Sequence, residues 1–362
     1  MLAGENQAAL YSFSRYRRNG RDWVACALGP RWTMVDIRTR DVFAAMQPDL
    51  LLVQSRLEEV VRIDYPGLTD LILDLIRAGG KRLRPLVLLL AGRAYGNDRD
   101  TLVTAGAGVE LLHTASLVHD DTVDRAGMRR GRPTLNSVLP SGAVILLGDF
   151  LFAQSAMLAA ATNSPRVVSI FASTLSDICD GQLREMFFAH RLDQSREEYE
   201  RRIFGKTASL FAGSAEMGAV IGNAPEPAVQ ALRRYGSDVG MAFQIVDDVL
   251  DLREGANQLG KPAGHDLTQG TVTLPTIIYA SNLTPASDAA ERLRSVVSGE
   301  IDQPSEVNRV VEEIRASGAL ESAMDEALEF ATRSKTHVAA APDREIREML
   351  EQVADVVCER SA

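Results

Sequence analysis

Two aspartate clusters carry the strongest chemical signal in the chain: His119-Asp120-Asp121-Thr122-Val123-Asp124 and Gln244-Ile245-Val246-Asp247-Asp248-Val249-Leu250-Asp251. In each, the first and last aspartates are four residues apart, which places them on one face of a helix, where like charges repel. Both clusters close apolar runs: Leu111, Leu112, Leu117 and Val118 precede one, and Met241, Ala242, Phe243 and Ile245 lie in and before the other. Carboxylates at the mouth of an apolar helix bundle require cations. Oxygen ligands with no Cys or His cluster select a hard ion, Mg²⁺. Mg²⁺ takes one or two carboxylates and completes its shell with water and phosphate oxygens, so two such clusters facing each other would hold a diphosphate. One acidic helix end is an ordinary solvated feature; two, each closing a buried run, are harder to dismiss.

Basic residues supply the counterpart. Gly79-Gly80-Lys81-Arg82-Leu83-Arg84-Pro85 places three cations in a tight turn ahead of a helix. Arg129-Arg130-Gly131 follows the first acidic cluster by five residues, and Lys206-Thr207 and Lys261 are isolated. Such cations bind phosphate through charge-assisted hydrogen bonds, although each taken singly is more often a solvated charge.

The elements that must position these groups are helical. Apolar residues recur at helical spacing, Gly and Pro punctuate them, and strand signals are almost absent. The spacing predicts helices over 42–63, 67–78, 85–95, 100–121, 136–161, 165–190, 196–221, 226–251, 273–282, 286–298, 305–316, 318–337 and 343–359. The fold class is therefore all-α, a single large helical bundle around a central apolar cavity.

The bulk properties narrow the function. Of the 362 residues, 46% are apolar, enough for a full core, and a net charge of −10 excludes a nucleic-acid protein, which needs a broad basic surface. Cys26, Cys179 and Cys358 match no metal-site spacing, and their odd count fits a reducing cytoplasm. No secretory signal is visible, and the apolar stretch Ala143–Ala161 reads as a buried helix because it contains Asp149; the chain is expected not to be an integral membrane protein. Residues 1–33 differ from the rest: they hold both tryptophans and five arginines against Glu5 and Asp22, so they carry +3 and the remainder −13. Three readings stand open for them: a flexible extension, an arm for an anionic surface, or sequence upstream of a start at Met34. The domains are read as 1–33, an N-terminal extension, and 34–362, one all-α domain.

Taken in order, the segments resemble the trans-isoprenyl diphosphate synthase (polyprenyl synthetase) family. They are Gly79-Gly-Lys-Arg-Leu-Arg-Pro85, Glu110-Leu-Leu-His113, Asp120-Asp-Thr-Val-Asp124, Arg129-Arg-Gly131, Gly148-Asp149, Gly181-Gln182, Lys206-Thr207, Gln244-Ile-Val-Asp247-Asp-Val-Leu-Asp251, Gly260-Lys261-Pro-Ala-Gly-His-Asp266-Leu267 and Thr273-Leu274-Pro275. The match runs from about residue 42 to the C-terminus. The resemblance implies that Lys81, Arg84, His113 and Arg130 bind isopentenyl diphosphate. It implies that Asp120, Asp124 and Asp247 ligate Mg²⁺, with Asp121, Asp248 and Asp251 in support. Arg129, Lys206, Thr207, Gln244 and Lys261 would bind an allylic diphosphate, and Lys206 and Thr207 would also stabilise the allylic cation. The family usually has lysine after Gly270, where this chain has Thr271. A homodimer is implied as well.

The implied reaction ionises the allylic C–O bond, lets the isopentenyl double bond attack, and returns a proton to the departing diphosphate. A terpene cyclase or head-to-head condensing enzyme would have no use for Lys81, Arg84 and His113, and a non-catalytic partner subunit typically lacks one acidic motif. Product length is read from the helix that ends in Asp120. Ala115 and Ser116, where short-chain members place aromatic residues, are small; Leu112 narrows the channel and Gly108 opens it again; Phe150, Phe152 or Met157 forms the floor. The expected product is longer than farnesyl diphosphate, with a geranylgeranyl diphosphate synthase or the catalytic subunit of a heteromeric synthase as alternatives.

Overall fold

The computed structural model describes residues 13–18, 21–27, 32–65, 67–96, 98–129, 132–253 and 264–359. The chain divides into two compact units, Met1–Pro48 and Asp49–Ala362.

The first unit contains an antiparallel sheet of β1 (Phe13–Arg18), β2 (Arg21–Ala27) and β3 (Trp32–Asp36), in that order. Phe13 pairs with Cys26, Arg18 with Arg21, and Trp23 with Asp36. The sheet departs from the expectation of a nearly strand-free chain. Its sequence signal is the Asn-Gly pair between Arg18 and Arg21, the strongest short-range hairpin mark. The boundary expected at residue 33 falls inside β3. Helix α1 (Ile37–Val60) follows and carries Pro48 internally.

The second unit is the helical bundle. Its helices are α2 (Leu68–Arg77), α3 (Leu83–Arg93), α4 (Arg99–Val123), α5 (Ser141–Ala161), α6 (Pro165–Phe188), α7 (Arg196–Ile203), α8 (Ser209–Ile221), α9 (Glu226–Arg253), α10 (His265–Thr268), α11 (Leu274–Asn282), α12 (Asp288–Val297), α13 (Pro304–Ala316), α14 (Ala319–Val338) and α15 (Arg344–Glu359). A two-stranded ribbon, β4 (Met128–Arg129) and β5 (Arg132–Pro133), follows α4. Local signals set the starts. Asp98 caps α4 through the Thr101 amide, Ser164 caps α6 ahead of Pro165, and Ser195 caps α7.

Helix α4 is buried from Leu102 to Leu112 and packs against α3, α5 and α8, while α9 packs against α8 and α14. The two helices that end in the acidic clusters are thus core elements. By length and composition α4 and α5 could each cross a membrane. For α4 this reflects its place in the core. Helix α5 corrects the expectation of a buried helix: Val144, Leu147, Leu151 and Leu158 face inward, but Leu146 and Met157 are 68% and 63% exposed.

Candidate active site

Lys206 and Thr207 lie on a π-helical turn, Phe204–Ala208, set between α7 and α8. The sequence predicts one unbroken helix over this stretch; the inserted residue that makes a π-turn leaves no periodic mark, and such turns cluster at functional sites. Its placement depends on two glycines. A Cβ on Gly181 of α6 would lie 2.1 Å from the Lys206 amide nitrogen, and one on Gly205 would lie 2.8 Å from the Asp177 carbonyl oxygen. Helix α6 and the π-turn therefore cross backbone to backbone, which only glycine permits.

A cleft of about 470 Å³ opens above this crossing. Asp124, Lys206, Thr207, Gln244 and Asp248 line it, together with Gln182, Glu185, Arg202, His265, Asp266 and Thr271. The ends of α4 and α9 thus contribute Asp124, Gln244 and Asp248 to one cleft, while Asp120, Asp121, Asp247 and Asp251 lie outside its lining.

The two clusters are held differently. At the α4 end, Asp121 is buried and accepts a hydrogen bond from Arg129 Nε at 2.7 Å. Burial pushes the Asp120 carboxyl up to about 6; Lys206 opposes this, while Glu185 and Asp124 add to it. Asp124 is raised for the same first cause, burial. At the α9 end, Asp248 is buried and accepts from Tyr199 Oη and Gln244 Nε2, each at 2.8 Å; Gln244 Oε1 in turn accepts from Thr207 Oγ1 at 2.7 Å. Burial still lifts the Asp248 carboxyl well above its usual range, against these bonds. Asp251 Oδ2 accepts from the Asp266 amide at 3.1 Å. Asp247, one residue before Asp248, is half-buried on α9.

The cations are as unequal. The Lys206 ammonium forms a short ion pair with Glu185. Burial alone would lower its pKa, but Glu185 and Asp120 outweigh that and hold it above the lysine range. Of the three cations in the 79–85 turn, Arg82 adopts a left-handed backbone and turns inward, donating to Glu110 at 2.6 Å, to Gln54 at 2.8 Å and to the Ile76 carbonyl. Arg84 lies over the Phe211 ring, 4.6 Å from its centroid, and faces Phe243 at 5.7 Å. Lys81 is exposed at the start of α3, and His113 is half-buried on α4. Lys81, Arg84 and His113 lie outside the cleft lining; Arg130 and Lys261 lie outside the described residues.

Sequence reasoning missed Glu185, Tyr199 and Arg202. Arg202 is buried, and its Nη2 donates to the Val272 carbonyl at 2.6 Å, beside Thr271. Glu185 had a usable signal, since it lies one helical turn after Gln182 on the same face of α6. Tyr199 and Arg202 precede Lys206 by seven and four residues, but their partners, Asp248 and Val272, are 49 and 70 residues away in sequence, so nothing local marks them.

Two expected channel residues are corrected. A Cβ on Gly108 would lie 3.2 Å from Leu158 Cβ and 3.3 Å from the Ser155 carbonyl oxygen, so its bare Cα serves close packing of α4 on α5 and opens no channel. Met157 faces outward and closes no channel inside the chain. Ala115 and Leu112 are fully buried, and Phe152 packs 5.1 Å from the His119 ring.

The sequence profile of the Polyprenyl synthetase family matches residues 66–314. The chain belongs to that family. It is a prenyltransferase with the all-helical isoprenoid synthase fold, as the motif order implied. Its similarity is spread over most of its length. Heptaprenyl diphosphate synthase component 2 of Geobacillus stearothermophilus is 39% identical over 79% of this chain and 87% of its own. The solved polyprenyl synthase from Caulobacter crescentus CB15, complexed with calcium and isoprenyl diphosphate, superposes with a TM-score of 0.85 at 34% identity, over 90% of this chain and 98% of that one. A decaprenyl diphosphate synthase from Rhodobacter capsulatus gives 0.84 at 35% identity, over 90% and 99%.

Proposed function

We propose that this prenyltransferase condenses isopentenyl diphosphate with an allylic diphosphate, using Mg²⁺, and makes an all-trans polyprenyl diphosphate longer than farnesyl. The observation that carries this is one cleft lined by Asp124 from the end of α4 and by Gln244 and Asp248 of α9, together with Lys206 and Thr207.

The residues suit Mg²⁺. Among the described residues no group of three Asp, Glu, His or Cys side chains forms a ready-made metal site, and Mg²⁺ needs only one or two carboxylates beside water and phosphate oxygens. The Asp120 carboxyl is raised by burial beside other carboxylates, the condition a divalent ion relieves. Gln182 Oε1 is a buried acceptor in the cleft without a hydrogen-bond partner among the described residues. Asp120, Asp124 and Asp247 would hold the ion, and Asp121, Asp248 and Asp251 would orient them. Mg²⁺, when bound, neutralises the leaving diphosphate.

The rest falls to the chain. Lys206, Thr207, Gln244 and Arg129 bind and orient the allylic diphosphate, joined by Lys261. Lys81, Arg84, His113 and Arg130 bind isopentenyl diphosphate. The Thr207–Gln244–Asp248–Tyr199 chain fixes the donors on the leaving group before charge develops there. The apolar flank of α4 excludes water from the allylic cation.

Two relatives named for long products, a heptaprenyl and a decaprenyl synthase, support the length, as does the small side chain of Ala115. A homodimer is proposed from the outer faces of α5 and α6, where Leu146, Met157 and Phe187 are 68%, 63% and 75% exposed. The "component 2" in one relative's name favours a heteromeric partner as the second reading. Cys179 is a free thiol, which suits a cytoplasmic setting. Incubation with isopentenyl diphosphate, an allylic primer and Mg²⁺, followed by product chromatography, tests the activity. Farnesyl diphosphate as sole product, or no product even with a partner subunit added, refutes it.

A further inference from the structure

Glu185 has no role in the assignments above, yet its surroundings are specific. It lies in the last turn of α6, lines the cleft with Asp124 and Lys206, and forms a short ion pair with the Lys206 ammonium. Its side chain is 22% exposed and that of Lys206 27%, so water screens the pair only in part. Its neighbour on the same helix points elsewhere: Arg184 is held by Asp180 and Glu198, each at 2.7 Å. No hydrogen bond from the described residues reaches the Asp120 or Asp124 carboxylates. The nearby charges acting on both are Lys206, Glu185 and Arg129, and the Arg129 guanidinium is itself held by Asp121. One turn back on α6, Gln182 brings the buried acceptor Oε1 into the same cleft.

Three carboxylates therefore share one ammonium. They outnumber it, and a divalent cation entering the cleft would offset the excess negative charge. The Lys206 ammonium has three donors, and the one committed to Glu185 is withdrawn from an incoming diphosphate.

We propose that Glu185 is a third acidic residue of the α4 metal site and the resting counter-ion of Lys206. It holds the ammonium between the carboxylates in the unliganded protein. On loading it turns to the divalent cation, directly or through a bound water, and frees Lys206 for the diphosphate. This rests on the assignment of Asp120 and Asp124 to the metal, and it adds an exchange: one cation enters as another is handed to the substrate.

The test uses full-length Glu185→Gln, which keeps size and hydrogen bonding but removes the charge. Binding of Mn²⁺ alone is followed by electron paramagnetic resonance, and binding of inorganic pyrophosphate without divalent cation by calorimetry. The exchange requires opposite signs. Mn²⁺ affinity should fall about ten-fold, the scale of losing one supporting ligand, while pyrophosphate should bind several-fold tighter because Lys206 has lost its competitor. Glu185→Asp should restore Mn²⁺ binding in part, which a merely damaged helix end would not do. Unchanged Mn²⁺ affinity, or weaker binding of both ligands, overturns the proposal. Asp120→Asn, measured alongside, separates the two levels. If it leaves Mn²⁺ affinity unchanged, the metal-site assignment itself is wrong; if it abolishes binding while Glu185→Gln changes nothing, only the exchange is.

Discussion

The two acidic helix ends share a spacing but not a state. At the end of α4, Asp120 and Asp124 receive no hydrogen bond from the described residues, and burial raises both. At the end of α9, Asp248 is fastened to Tyr199 and Gln244, and Asp251 receives the Asp266 amide. Both clusters sit where the helix dipole disfavours anions. The chain meets that cost with fixed donors at Asp248 and Asp251 on α9, whereas on α4 it does so at Asp121, through Arg129, and leaves Asp120 and Asp124 open. The spacing marks both as metal ends, but only the surroundings separate an end that waits for a cation from one that is already half built into the core.

That contrast can be broken most sharply by mutation. Asp120→Ala should cut turnover by roughly 10³-fold or more, about 4 kcal/mol of transition-state stabilisation, and leave the melting temperature unchanged or higher. Asp248→Ala should lower activity and stability together, because it leaves the buried Tyr199 hydroxyl without its acceptor at about 1–3 kcal/mol. Steady-state rates and thermal melts of both variants check this. Equal melting temperatures would show that the α9 end is no more structural than the α4 end.

The next effect separates the turn before α3 from the cleft. Lys81→Ala should raise KM for isopentenyl diphosphate by about 10- to 100-fold, the loss of one charge-assisted contact of about 1.5–3 kcal/mol, with little change for the allylic primer. Arg84→Ala should do the same and also lower stability, since its guanidinium lies over Phe211. Equal rises in both KM values for Lys81→Ala would place this turn at the wrong substrate.

The smallest effect is a change of product. Ala115→Phe introduces a ring at a fully buried position on α4 and should shift the product toward shorter chains at a modest cost in rate. Chain-length analysis of extracted products decides it; an unchanged distribution would mean that this face of α4 does not line the channel.

The helical frame was legible because its signals are local. Asp98, Ser164 and Ser195 mark starts, and the apolar period runs unbroken through α4 and α9. The aspartates were legible because a four-residue spacing survives projection onto a helix. What was hidden depends on the third dimension. The π-turn under Lys206 exists because Gly181 and Gly205 let two backbones touch. Arg82 looked like its neighbours Lys81 and Arg84 but is committed to Glu110. Gly108 looked like an opening in a wall and is a point of contact with α5. The strands β1 to β3 escaped a reading tuned to helical periods, although an Asn-Gly pair, a hairpin mark, stands in the sequence between the first two.

The crossing of Gly181 and Gly205 has a consequence for how the protein can change. Most active-site lysines owe their location to a flexible four-carbon stem, so a neighbouring substitution can be absorbed by a new rotamer. Here the main chain of Lys206 is itself the packed surface, 2.1 Å from where a methyl on Gly181 would lie. Even alanine at that position would have to move the peptide that bears the ammonium, and with it the Thr207 hydroxyl. The two hydrogens at this joint therefore tie the identity of a residue on α6 to the position of a charge on the following segment. Drift at either glycine would strain the crossing and misplace the charge together.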